Sequence, residues 1–438
     1  MTSLLLRADA SPEVGVGHLS RCVAVATAAR ARGWDVTLCG TFTAGQWLLG
    51  DLPVVPGLRP ADVVLVDHYG MAAPRVDGVL VSLEDGEFGR RRADVVVDAN
   101  LHQGPRPDDG SPVVLRGPSY APLRAELRAA RAARSAGSTP PKVVVVMGGG
   151  AAPSAVAAAL TALRETGVPA RVHAISSVAV PGFDVTPPTP ALPALFAAAD
   201  LVISAAGVTL LELCCIGVPA ALVQLADNQA AGYQAAVAQG LAAGLGTDPR
   251  EHVNALRTLL RDPVHRAALA QHARTVVDGR GADRILDATG LDPTVRAATD
   301  ADTEQLLTWR NDDETRRWSR TSEPVSAADH REWLSRVLAD EDRRLLIAEH
   351  HGHPVGTVRF DRGGDTWEVS ITIAPQARGR RLALPVLLAA ERALGPATIR
   401  ATVHSDNTAS RRIFDRAGYR QISDGQWLGL EKASPSPE

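Results

Sequence analysis

Short apolar runs rich in Val and Leu recur along the first part of the chain, and they constrain its fold more than any other feature. Uninterrupted runs of this kind are typical of strands buried on both faces, as in parallel sheets. The stretch after the first run, LSRCVAVATAARARG, has helical periodicity and ends at Gly33. Strand alternating with helix predicts an open α/β sheet that binds ligands at the carboxyl ends of its strands. The predicted strands are LLLRA (4–8), VTLCG (36–40), DVVLVD (62–67), VLVSLED (79–85) and DVVVDA (94–99).

A polar segment that contains two prolines, SAGSTPPK (135–142), predicts a linker between two such units. After it, KVVVVMGGG (142–150) predicts a strand that enters a glycine loop, and AVAAALTALRETG predicts the helix that follows. We therefore expect two Rossmann-like lobes, at 1–134 and 142–290, with their ligand sites on either side of a cleft.

The pattern changes near residue 291. There RLLIAEHHG and HPVGTVRFD predict an antiparallel hairpin, and WEVSITIAP predicts the next strand. QARGRRLALPVLLAAERALG predicts a glycine-bearing turn that leads into an amphipathic helix, and NTASRRIFDRAGY predicts a helix that stops at Gly418. These elements predict a third domain, of the α+β class, at 291–433, after an α/β protein of two lobes.

Bulk properties exclude several classes of function. The 438 residues exceed what one core accommodates, and a net charge of -3 offers no broad attraction for nucleic acid or anionic membranes. No segment resembles a signal peptide or is long enough to span a bilayer, so we expect a cytoplasmic protein without nucleic-acid or membrane partners. The cysteines form no CxxC pair, and we expect reduced core residues with no metal site and no disulfide: Cys22, Cys39, Cys214 and Cys215.

The motif EVGVGHLSRC (13–22) places a histidine at the start of the first predicted helix. Gly17 before it permits a tight turn and a close approach of backbone to a ligand. The unpaired N–H groups of a first helical turn disfavour protonation of His18 and attract phosphate. A neutral imidazole there is suited to act as a base, which makes His18 a candidate catalytic residue. The alternative is a glycine-rich turn with a capping polar residue and no catalytic role.

Two small-residue loops predict a phosphate and ribose site in the second lobe. Gly149 and Gly150 in VMGGG lie between a strand and a helix, where backbone amides can approach an anion. In SAAGVTLLELCCIGVPA, Ala206 and Gly207 form a second such loop, and Glu212 follows on the next helix. A carboxylate just inside that helix can accept both hydroxyls of a ribose. The alternatives are a tight turn without a ligand and a first-turn acid that favours the helix dipole.

Segments of residues 4–285 resemble, in content and order, the UDP-sugar hydrolase of bacterial pseudaminic acid biosynthesis, a relative of the MurG-type glycosyltransferases of GT-B fold. They are GVGHLSR, VDHYG, RGPSYAPLR, VMGGG, SAAGVTLLELCCIGVPA and DNQ. The first two are the more specific, and the glycine loop and the SAAG segment are shared with the glycosyltransferases. The resemblance implies metal-independent hydrolysis of UDP-2,4-diacetamido-2,4,6-trideoxy-β-L-altrose to free sugar and UDP, with inversion, by attack of water at the anomeric carbon.

The resemblance also implies roles for single residues. It makes His18 the general base, which suits water attack because a near-neutral imidazole is matched to pH 7. Tyr69 of VDHYG follows a predicted strand end, and the resemblance implies that it contacts the sugar or the reactive water. Asn228 of DNQ has an implied catalytic and substrate-binding role, with Gln229 beside it.

Other polar residues near these motifs have alternative interpretations. Arg21, one turn after His18, is predicted either to bind phosphate or orient the site, or to be a solvated helix residue. Tyr120 and Arg124 are secondary candidates for substrate contacts. Asp67, just before Tyr69 in VDHYG, is interpreted as a structural residue at the strand end, and so is His68.

The C-terminal domain resembles the GNAT acetyltransferases in QARGRRLALPVL and HSDNTASRRIFDRAGY. The first segment matches the family's pyrophosphate-binding turn, R-x-x-G-x-G/A, which implies acetyl-CoA as a co-substrate. Arg381 stands where the family has a glycine, and its side chain either crowds the diphosphate or pairs with it. The residues that the resemblance assigns to acetyl-CoA binding are Arg378, Gly379, Arg380, Arg381, Ala383 and Asn407.

The general acid and base of this domain are less defined. Phe414 occupies the position where many GNAT members have a tyrosine, so the usual general acid is absent. Glu368 is a candidate base acting through water, with an exposed strand acid as the alternative. WRNDDETRRW (309–318) resembles the start of the pathway's acetyltransferase, which acetylates the 4-amino group of UDP-4-amino-4,6-dideoxy-N-acetyl-β-L-altrosamine. The alternative for the tryptophans is a core role: Trp309, Trp318 and Trp333.

Together the two resemblances predict a bifunctional enzyme in which the product of acetylation is the substrate of hydrolysis. One alternative is a GT-B glycosyltransferase that uses a UDP-sugar donor and another acceptor. A second alternative is a degenerate GNAT-like module that binds without catalysing acetyl transfer. The sequence leaves open the stereochemistry of the sugar, the oligomeric state and the final product.

Overall fold

Three β-sheets organise the chain, for which a computed structural model describes residues 2–12, 14–102, 104–135, 137–148 and 152–433. The predicted class, α/β with a C-terminal α+β domain, is confirmed. The chain divides into two units. The N-terminal unit comprises Thr2–Arg30 and Asp35–Thr289, and the C-terminal unit comprises Ala31–Trp34 and the chain from Gly290 onward.

The first sheet has seven parallel strands in the order β3-β2-β1-β4-β5-β6-β7. β1 and β4 lie in the interior of the sheet and are buried along most of their length, as is typical of parallel strands. Short 3-10 helices lie at Gln46–Leu48 and Pro118–Tyr120. The elements are β1 (Ser3–Ala8), α1 (Gly17–Ala31), β2 (Asp35–Cys39), β3 (Val54–Val55), β4 (Val63–Asp67), β5 (Val79–Glu84), β6 (Val95–Asp98), β7 (Val113–Arg116) and α2 (Ala125–Ala132).

All five strands predicted here are confirmed, but strand alternates with helix only from β1 through α1 to β2. The connections between β4 and β7 contain no helix in the residues that the structure describes. These connections are rich in Pro and Gly, which disfavour a helix or leave it too short. Arginine pairs hold them instead: Arg106 binds the buried Glu84 at 2.9 Å and Asp109 at 2.8 Å.

The second sheet has five parallel strands in the order β12-β11-β10-β8-β9. Its helices cover the two faces and bury two apolar clusters. The elements are β8 (Lys142–Val146), α3 (Pro153–Glu165), β9 (Arg171–Ile175), α4 (Leu192–Ala197), β10 (Leu201–Ala205), α5 (Val208–Ile216), β11 (Ala220–Val223), α6 (Ala230–Ala238), β12 (Ala243–Gly244), α7 (Val253–Arg261), α8 (Pro263–Val276) and α9 (Gly281–Ala288).

The third sheet has seven strands in the order β13-β14-β15-β16-β17-β19-β18, antiparallel except for the parallel pair β16 and β17. The predicted hairpin is confirmed as β14 and β15. The elements are β13 (Thr294–Ala297), α10 (Thr303–Asn311), α11 (Asp313–Arg317), α12 (Ala327–Ala339), β14 (Arg343–His350), β15 (His353–Gly363), β16 (Thr366–Ile373), α13 (Ala383–Leu394), β17 (Thr398–His404), α14 (Thr408–Arg416), β18 (Arg420–Ser423) and β19 (Trp427–Lys432).

The C-terminal unit includes a short stretch from early in the chain. Asp292, whose side chain is 6% exposed, accepts a hydrogen bond from Nη1 of Arg32 at 2.8 Å. Its other carboxylate oxygen accepts from Nε1 of Trp34, also at 2.8 Å. Residues distant in sequence therefore share one buried polar contact within this unit.

Candidate active sites

The first candidate site lies where the carboxyl ends of two neighbouring strands meet, at the point where the strand order of the first sheet reverses. β1 pairs with β2 on one side and β4 on the other, and Ala8 is in register with Asp67. Gly17 and His18 begin α1, the helix that follows β1. The topology therefore brings His18 beside the carboxylate of Asp67.

His18, Arg21 and Asp67 form a buried polar cluster. Nδ1 of His18 lies 2.6 Å from Oδ1 of Asp67. Arg21 donates to both carboxylate oxygens, from Nε to Oδ2 and from Nη2 to Oδ1, each at 2.8 Å. Asp67 is fully buried and His18 is 6% exposed. Of the roles predicted for Arg21, orientation of the site fits this bidentate pair, since its charge is opposed by Asp67.

Asp67 determines the tautomer that we assign to the His18 ring. Burial raises the pKa of Asp67, but the charge of Arg21 and the hydrogen bonds from both neighbours outweigh it and lower that pKa. An ionised carboxylate only accepts hydrogen bonds, so Nδ1 of His18 bears a proton, and in the neutral ring Nε2 has the lone pair. No residue in the described chain hydrogen-bonds to Nε2. The cluster thus orients the ring of the candidate base.

Tyr69 packs against this base. Its ring meets the ring of His18 edge-on, with centroids 4.5 Å apart, and Tyr69 is 43% exposed. The Tyr69 hydroxyl donates to Oδ2 of Asp85 at 2.6 Å. Nδ2 of Asn100 donates to the other oxygen of the same carboxylate, Oδ1 of Asp85, at 2.8 Å. Burial and the neighbouring carboxylate raise the pKa of Tyr69, so its hydroxyl stays protonated at neutral pH. Asp85 and Asn100 were not predicted from sequence, because they approach Tyr69 only through the strand order.

His68 has the contacts of a structural residue. Its Nδ1 accepts from the N–H of Gly70 at 3.0 Å, and its Nε2 lies 3.2 Å from Oδ2 of Asp9. Arg7 donates to the same carboxylate at 2.6 and 2.9 Å. The structural interpretation fits His68 but is incomplete for Asp67, which contacts the predicted base directly.

The second lobe places its candidate residues after β10. Ala206 and Gly207 form the loop that leads into α5, and Gly207 precedes its first residue, Val208. A side-chain carbon at Gly17 would lie 3.8 Å from Cγ2 of Val208. The start of α5 therefore lies close to the start of α1, where His18 is found.

Glu212 lies in the second turn of α5, whereas the sequence analysis placed it just inside the helix. The first-turn dipole explanation therefore does not apply. Glu212 is 8% exposed, and burial raises its pKa against the opposing charge of Arg124, whose Nη2 lies 3.9 Å away. Nε of Arg124 is buried and has no hydrogen-bond partner among the described residues, and its guanidinium lies 5.8 Å from the centre of the Trp47 ring. No described residue hydrogen-bonds to the Glu212 carboxylate, which leaves it able to accept ligand hydroxyls.

The remaining predicted residues of this lobe are only partly described. Gly149 and Gly150 lie outside the described residues. Asn228 belongs to a 3-10 helix, Asp227–Gln229, that follows β11, and its side chain is likewise outside the description. Gln229 accepts the N–H of Leu225 at Oε1, at 3.0 Å, so its side chain shapes the loop.

The C-terminal unit has a candidate site where β16 and β17 separate. Within the described chain, residues 366–368 pair with 398–400, although β16 continues to Ile373 and β17 to His404. The diverging backbone edges leave N–H and C=O groups for an extended ligand that contains amides. α13 begins shortly after β16, so its N-terminus adds a partial positive charge near this gap.

The loop before α13 has the backbone of a glycine-rich turn. Gly379 has φ +74° and Arg381 has φ +61°, a left-handed conformation that glycine adopts most readily. Arg381 therefore occupies a glycine-like conformation, in keeping with the glycine that the GNAT motif has there. Arg380 and Arg381 are exposed and Ala383 starts α13. Arg378 differs, because its side chain bonds to protein carboxylates.

Two other predicted GNAT residues have local structural roles. Asn407 caps α14, where its Oδ1 accepts the N–H of Ser410 at 3.0 Å. Phe414 is buried and packs edge-on to Tyr419, at 4.9 Å between centroids. Glu368 has a half-exposed side chain and accepts a hydrogen bond from Oγ1 of Thr402 at 3.1 Å.

The tryptophans divide into core and non-core residues. Trp309 is buried in the core and Trp333 packs against it, as the alternative interpretation predicted. Trp318 lies outside that core, with its ring 5.8 Å from the ring of His404. Trp427 meets His404 from another side, at 5.1 Å and edge-on. The sequence analysis missed His404, which lies at the end of β17 beside the gap.

The described residues lack the features of a metal site or a membrane span. They contain no group of three or more His, Cys, Asp or Glu side chains suited to hold a metal ion. None of the helices in these ranges is long and apolar enough to cross a bilayer. The four cysteines are free and buried, and burial raises the pKa of their thiols.

Comparison with protein families identifies the C-terminal domain. Residues 294–420 match the acetyltransferase (GNAT) domain family. This range runs from β13 to the start of β18, so the chain contains a GNAT acetyltransferase domain, as predicted. The matched residues include the gap between β16 and β17 and the loop before α13.

Solved acetyltransferase structures are similar to about a third of the chain. Aminoglycoside acetyltransferase AAC(6')-Ib in complex with coenzyme A is 20% identical, covering 33% of this chain and 96% of its own, with a TM-score of 0.30. Ribosomal-protein-alanine N-acetyltransferase from Brucella melitensis is 23% identical, covering 32% and 98%, with a TM-score of 0.28. Spermidine N-acetyltransferase from Vibrio cholerae, with CoA and spermine, is 17% identical, covering 33% and 98%, with a TM-score of 0.30.

The curated relatives of this chain are glycosyltransferases, not acetyltransferases. The chain is 40% identical over 102 residues to the UDP-N-acetylglucosamine–N-acetylmuramyl-(pentapeptide) pyrophosphoryl-undecaprenol N-acetylglucosamine transferase of Xanthomonas campestris pv. campestris strain 8004. The enzyme of strain B100 matches to the same extent. The match covers 22% of this chain and 24% of each relative, so the chain spans about a quarter of the length of these relatives.

Proposed function

We propose that the chain is a bifunctional nucleotide-sugar enzyme. Its C-terminal unit transfers an acetyl group from acetyl-CoA to the amino group of a UDP-4-amino sugar. Its N-terminal unit then hydrolyses the acetylated product, UDP-2,4-diacetamido-2,4,6-trideoxy-β-L-altrose, in pseudaminic acid biosynthesis. The observation that carries the hydrolase proposal is the oriented imidazole of His18, with Nδ1 2.6 Å from the buried carboxylate of Asp67 and no hydrogen bond to Nε2 from any described residue.

The hydrolytic step uses His18 as the general base. Nε2 takes a proton from water while the water oxygen forms a bond to the anomeric carbon of the sugar. The bond from that carbon to the UDP oxygen breaks, and UDP leaves with the electron pair and inversion at the carbon. The imidazolium that forms is stabilised by Asp67, since the carboxylate already accepts its Nδ1 proton. Tyr69 limits the space beside the ring.

The second lobe supplies the UDP site in this proposal. Glu212 accepts the ribose hydroxyls, and the N-terminus of α5 stabilises phosphate charge on the leaving group. The short distance between Gly17 and Val208 supports it, because it puts that helix end near the proposed base. Roles for Asn228, Gln229 and the glycine loop at 149–150 rest on the resemblance alone.

The acetyl-transfer step takes place at the gap between β16 and β17. Acetyl-CoA lies along the diverging strands, with its diphosphate at the loop that contains Arg380 and Arg381. The amine nitrogen forms a bond to the thioester carbonyl, the carbon–sulfur bond breaks, and CoA leaves as the thiolate. Glu368 takes the ammonium proton through water. The GNAT domain match supports this activity.

The decisive experiment follows the products in water labelled with ¹⁸O. The UDP-4-amino sugars of altro and gluco configuration are incubated with and without acetyl-CoA, and products are identified by mass spectrometry. We expect one added acetyl group only with acetyl-CoA, followed by UDP release with the label in the free sugar. Label in UDP instead, or no release, would refute the hydrolase proposal. His18→Asn should still bind UDP yet lose about 100- to 10,000-fold in turnover.

A glycosyltransferase is the second candidate for the N-terminal unit, favoured by the partial similarity to the curated transferases. It predicts that UDP release requires an acceptor other than water. Release of UDP with water alone decides against it. For the C-terminal unit, absence of acetyl-CoA binding at millimolar concentration by calorimetry would favour a degenerate module.

A further inference from the structure

The side chain of Arg378, predicted to bind the cofactor diphosphate, is engaged by protein groups. Its Nη2 donates to Oδ2 of Asp312 at 2.6 Å and to Oγ1 of Thr315 at 2.9 Å. Its Nη1 donates to Oε2 of Glu314 at 3.1 Å. Three of the five N–H groups of the guanidinium are thus committed to protein acceptors, and the two carboxylates outnumber its single positive charge.

The Arg378 contact stabilises the start of a separate helix. Asp312 precedes α11 and caps it, since its Oδ2 also accepts the N–H of Thr315 at 3.0 Å. The hydrogen bond from Arg378 is the main cause that lowers the pKa of Asp312, so the carboxylate is ionised at neutral pH. One carboxylate therefore both caps α11 and joins it to the loop before α13.

Residues 312–326, here called the loop segment, contain α11 and the chain that connects it to α12. From this segment the Trp318 ring packs 5.8 Å from that of His404, and Nη2 of Arg320 lies 3.5 Å from Oε1 of Glu368. Both sheet residues lie beside the gap between β16 and β17. The far end of the loop segment is fixed by Asn311, which exchanges two hydrogen bonds of 2.8 Å with the backbone of Val325.

We propose that Arg378 is a positioning residue, which holds the loop segment so that Trp318 and Arg320 line the site of the acceptor amine. It does not bind the diphosphate, which is left to Arg380 and Arg381. The proposal rests on the proposed acetyl transfer and adds a connection to it. The loop that meets acetyl-CoA also fixes the segment that meets the acceptor, so disorder in one is transmitted to the other.

The test compares Arg378→Ala and Asp312→Asn with wild-type protein, using the full chain. The matched control is Arg343→Ala, which removes an arginine that lies between Asp340 at 3.2 Å and Asp361 at 3.6 Å at the start of β14. Calorimetry measures the Kd of acetyl-CoA, hydrogen exchange measures protection of the loop segment, and steady-state kinetics give KM for the UDP-4-amino sugar.

We expect both test variants to lose protection in the loop segment and to raise the acceptor KM by about tenfold, the effect of roughly 1.4 kcal/mol. The Kd of acetyl-CoA should stay within about twofold of wild type, as should all three readings for the control. A diphosphate ligand gives the opposite pattern. Arg378→Ala would then weaken acetyl-CoA binding at unchanged protection, and Asp312→Asn would strengthen it by releasing the guanidinium. Either result overturns the proposal.

Failure of the proposed acetyl transfer is distinguishable. If the wild-type protein bound no acetyl-CoA and acetylated no amine, the enzymatic proposal would fail. Hydrogen exchange would still decide whether Arg378 holds the loop segment. Unchanged protection in both variants would then refute the positioning role on its own.

Discussion

Asp67→Asn is the substitution that most directly tests the first site. Asp67 is fully buried and its carboxylate accepts three hydrogen bonds, one from His18 and two from Arg21. An amide in its place has one oxygen and one NH₂ group, so it cannot accept from all three donors. The amide leaves the tautomer of His18 unfixed and the charge of Arg21, whose side chain is 13% exposed, without a counter-charge.

Two magnitudes follow from this geometry. Loss of an oriented general base predicts a fall in kcat of about 100- to 10,000-fold. Removal of one partner from a buried ion pair costs about 3–5 kcal/mol, which is large against a total stability of about 5–15 kcal/mol. We therefore expect a folded protein at 25 °C whose Tm is lower by roughly 6–20 °C.

The assay combines UDP release with thermal unfolding, and His18→Asn is the control. The control leaves Asp67 paired with Arg21, so it should lose turnover to a similar extent with a much smaller change in Tm. If Asp67→Asn kept turnover within about threefold of wild type, the residue would be structural only. An unchanged Tm would contradict the inference that the pair is a buried ionic contact.

Acid unfolding gives an independent reading of the same residue. The pKa of Asp67 in the folded protein is below its usual value. In acid, the folded protein therefore binds fewer protons at this residue than the unfolded chain does. The ionised carboxylate of Asp67 therefore contributes its full stabilisation above its pKa in the unfolded chain, about 4. That contribution is lost as the pH falls through its pKa in the folded protein. The Asn variant should show a weaker decline of Tm below about pH 4 than the wild-type protein, and an identical decline would contradict the assignment.

Three further substitutions have smaller expected effects. Tyr69→Phe keeps its ring against His18 and removes one hydrogen bond worth about 0.5–1.5 kcal/mol, so kcat should fall by less than about tenfold; a larger fall would make the hydroxyl catalytic. Glu212→Gln should weaken UDP binding about tenfold by calorimetry. Because burial raises the pKa of Glu212, wild-type affinity should also fall as pH is lowered towards that pKa, and a pH-independent affinity would contradict the ribose role. Tyr419→Phe removes a 2.8 Å hydrogen bond to Glu391 and should destabilise the C-terminal unit by about 1–3 kcal/mol in urea unfolding, whereas no change would show that water replaces it.

The strands that the sequence predicted in the first sheet share one physical property, burial along nearly their whole length. β1 and β4 lie inside the first sheet, so nearly every residue is apolar and the run is visible without any contact information. The missed strands β3 and β7 are the edges of that sheet and are short and partly exposed. β18, another edge, is exposed along its whole length. An edge strand pairs on one side only and needs no long apolar run. A single sequence therefore gives little sign of it.

The site divides in the same way between local and non-local information. The position of His18 at the start of a helix was predictable because the glycine turn and the helix start are neighbours in sequence. Asp67 lies 49 residues away, and only the pairing of β1 with β4 brings it to the imidazole. Arg378 matched a local motif, yet its partner Asp312 lies 66 residues away and changes what the side chain can bind. Motifs therefore indicate where ligands approach, and the topology decides which side chains remain available for them.

The contact of Asp292 with Arg32 and Trp34 affects how the two activities can be dissected. In the full chain the Asp292 side chain is 6% exposed. A truncated protein that starts at Gly290 would keep this carboxylate but lack its two donors, Arg32 and Trp34. Such a fragment should express poorly until those donors are supplied, for example as an added peptide. The same requirement would oppose a split of the gene into two reading frames, because one product would lack a piece of its own interior.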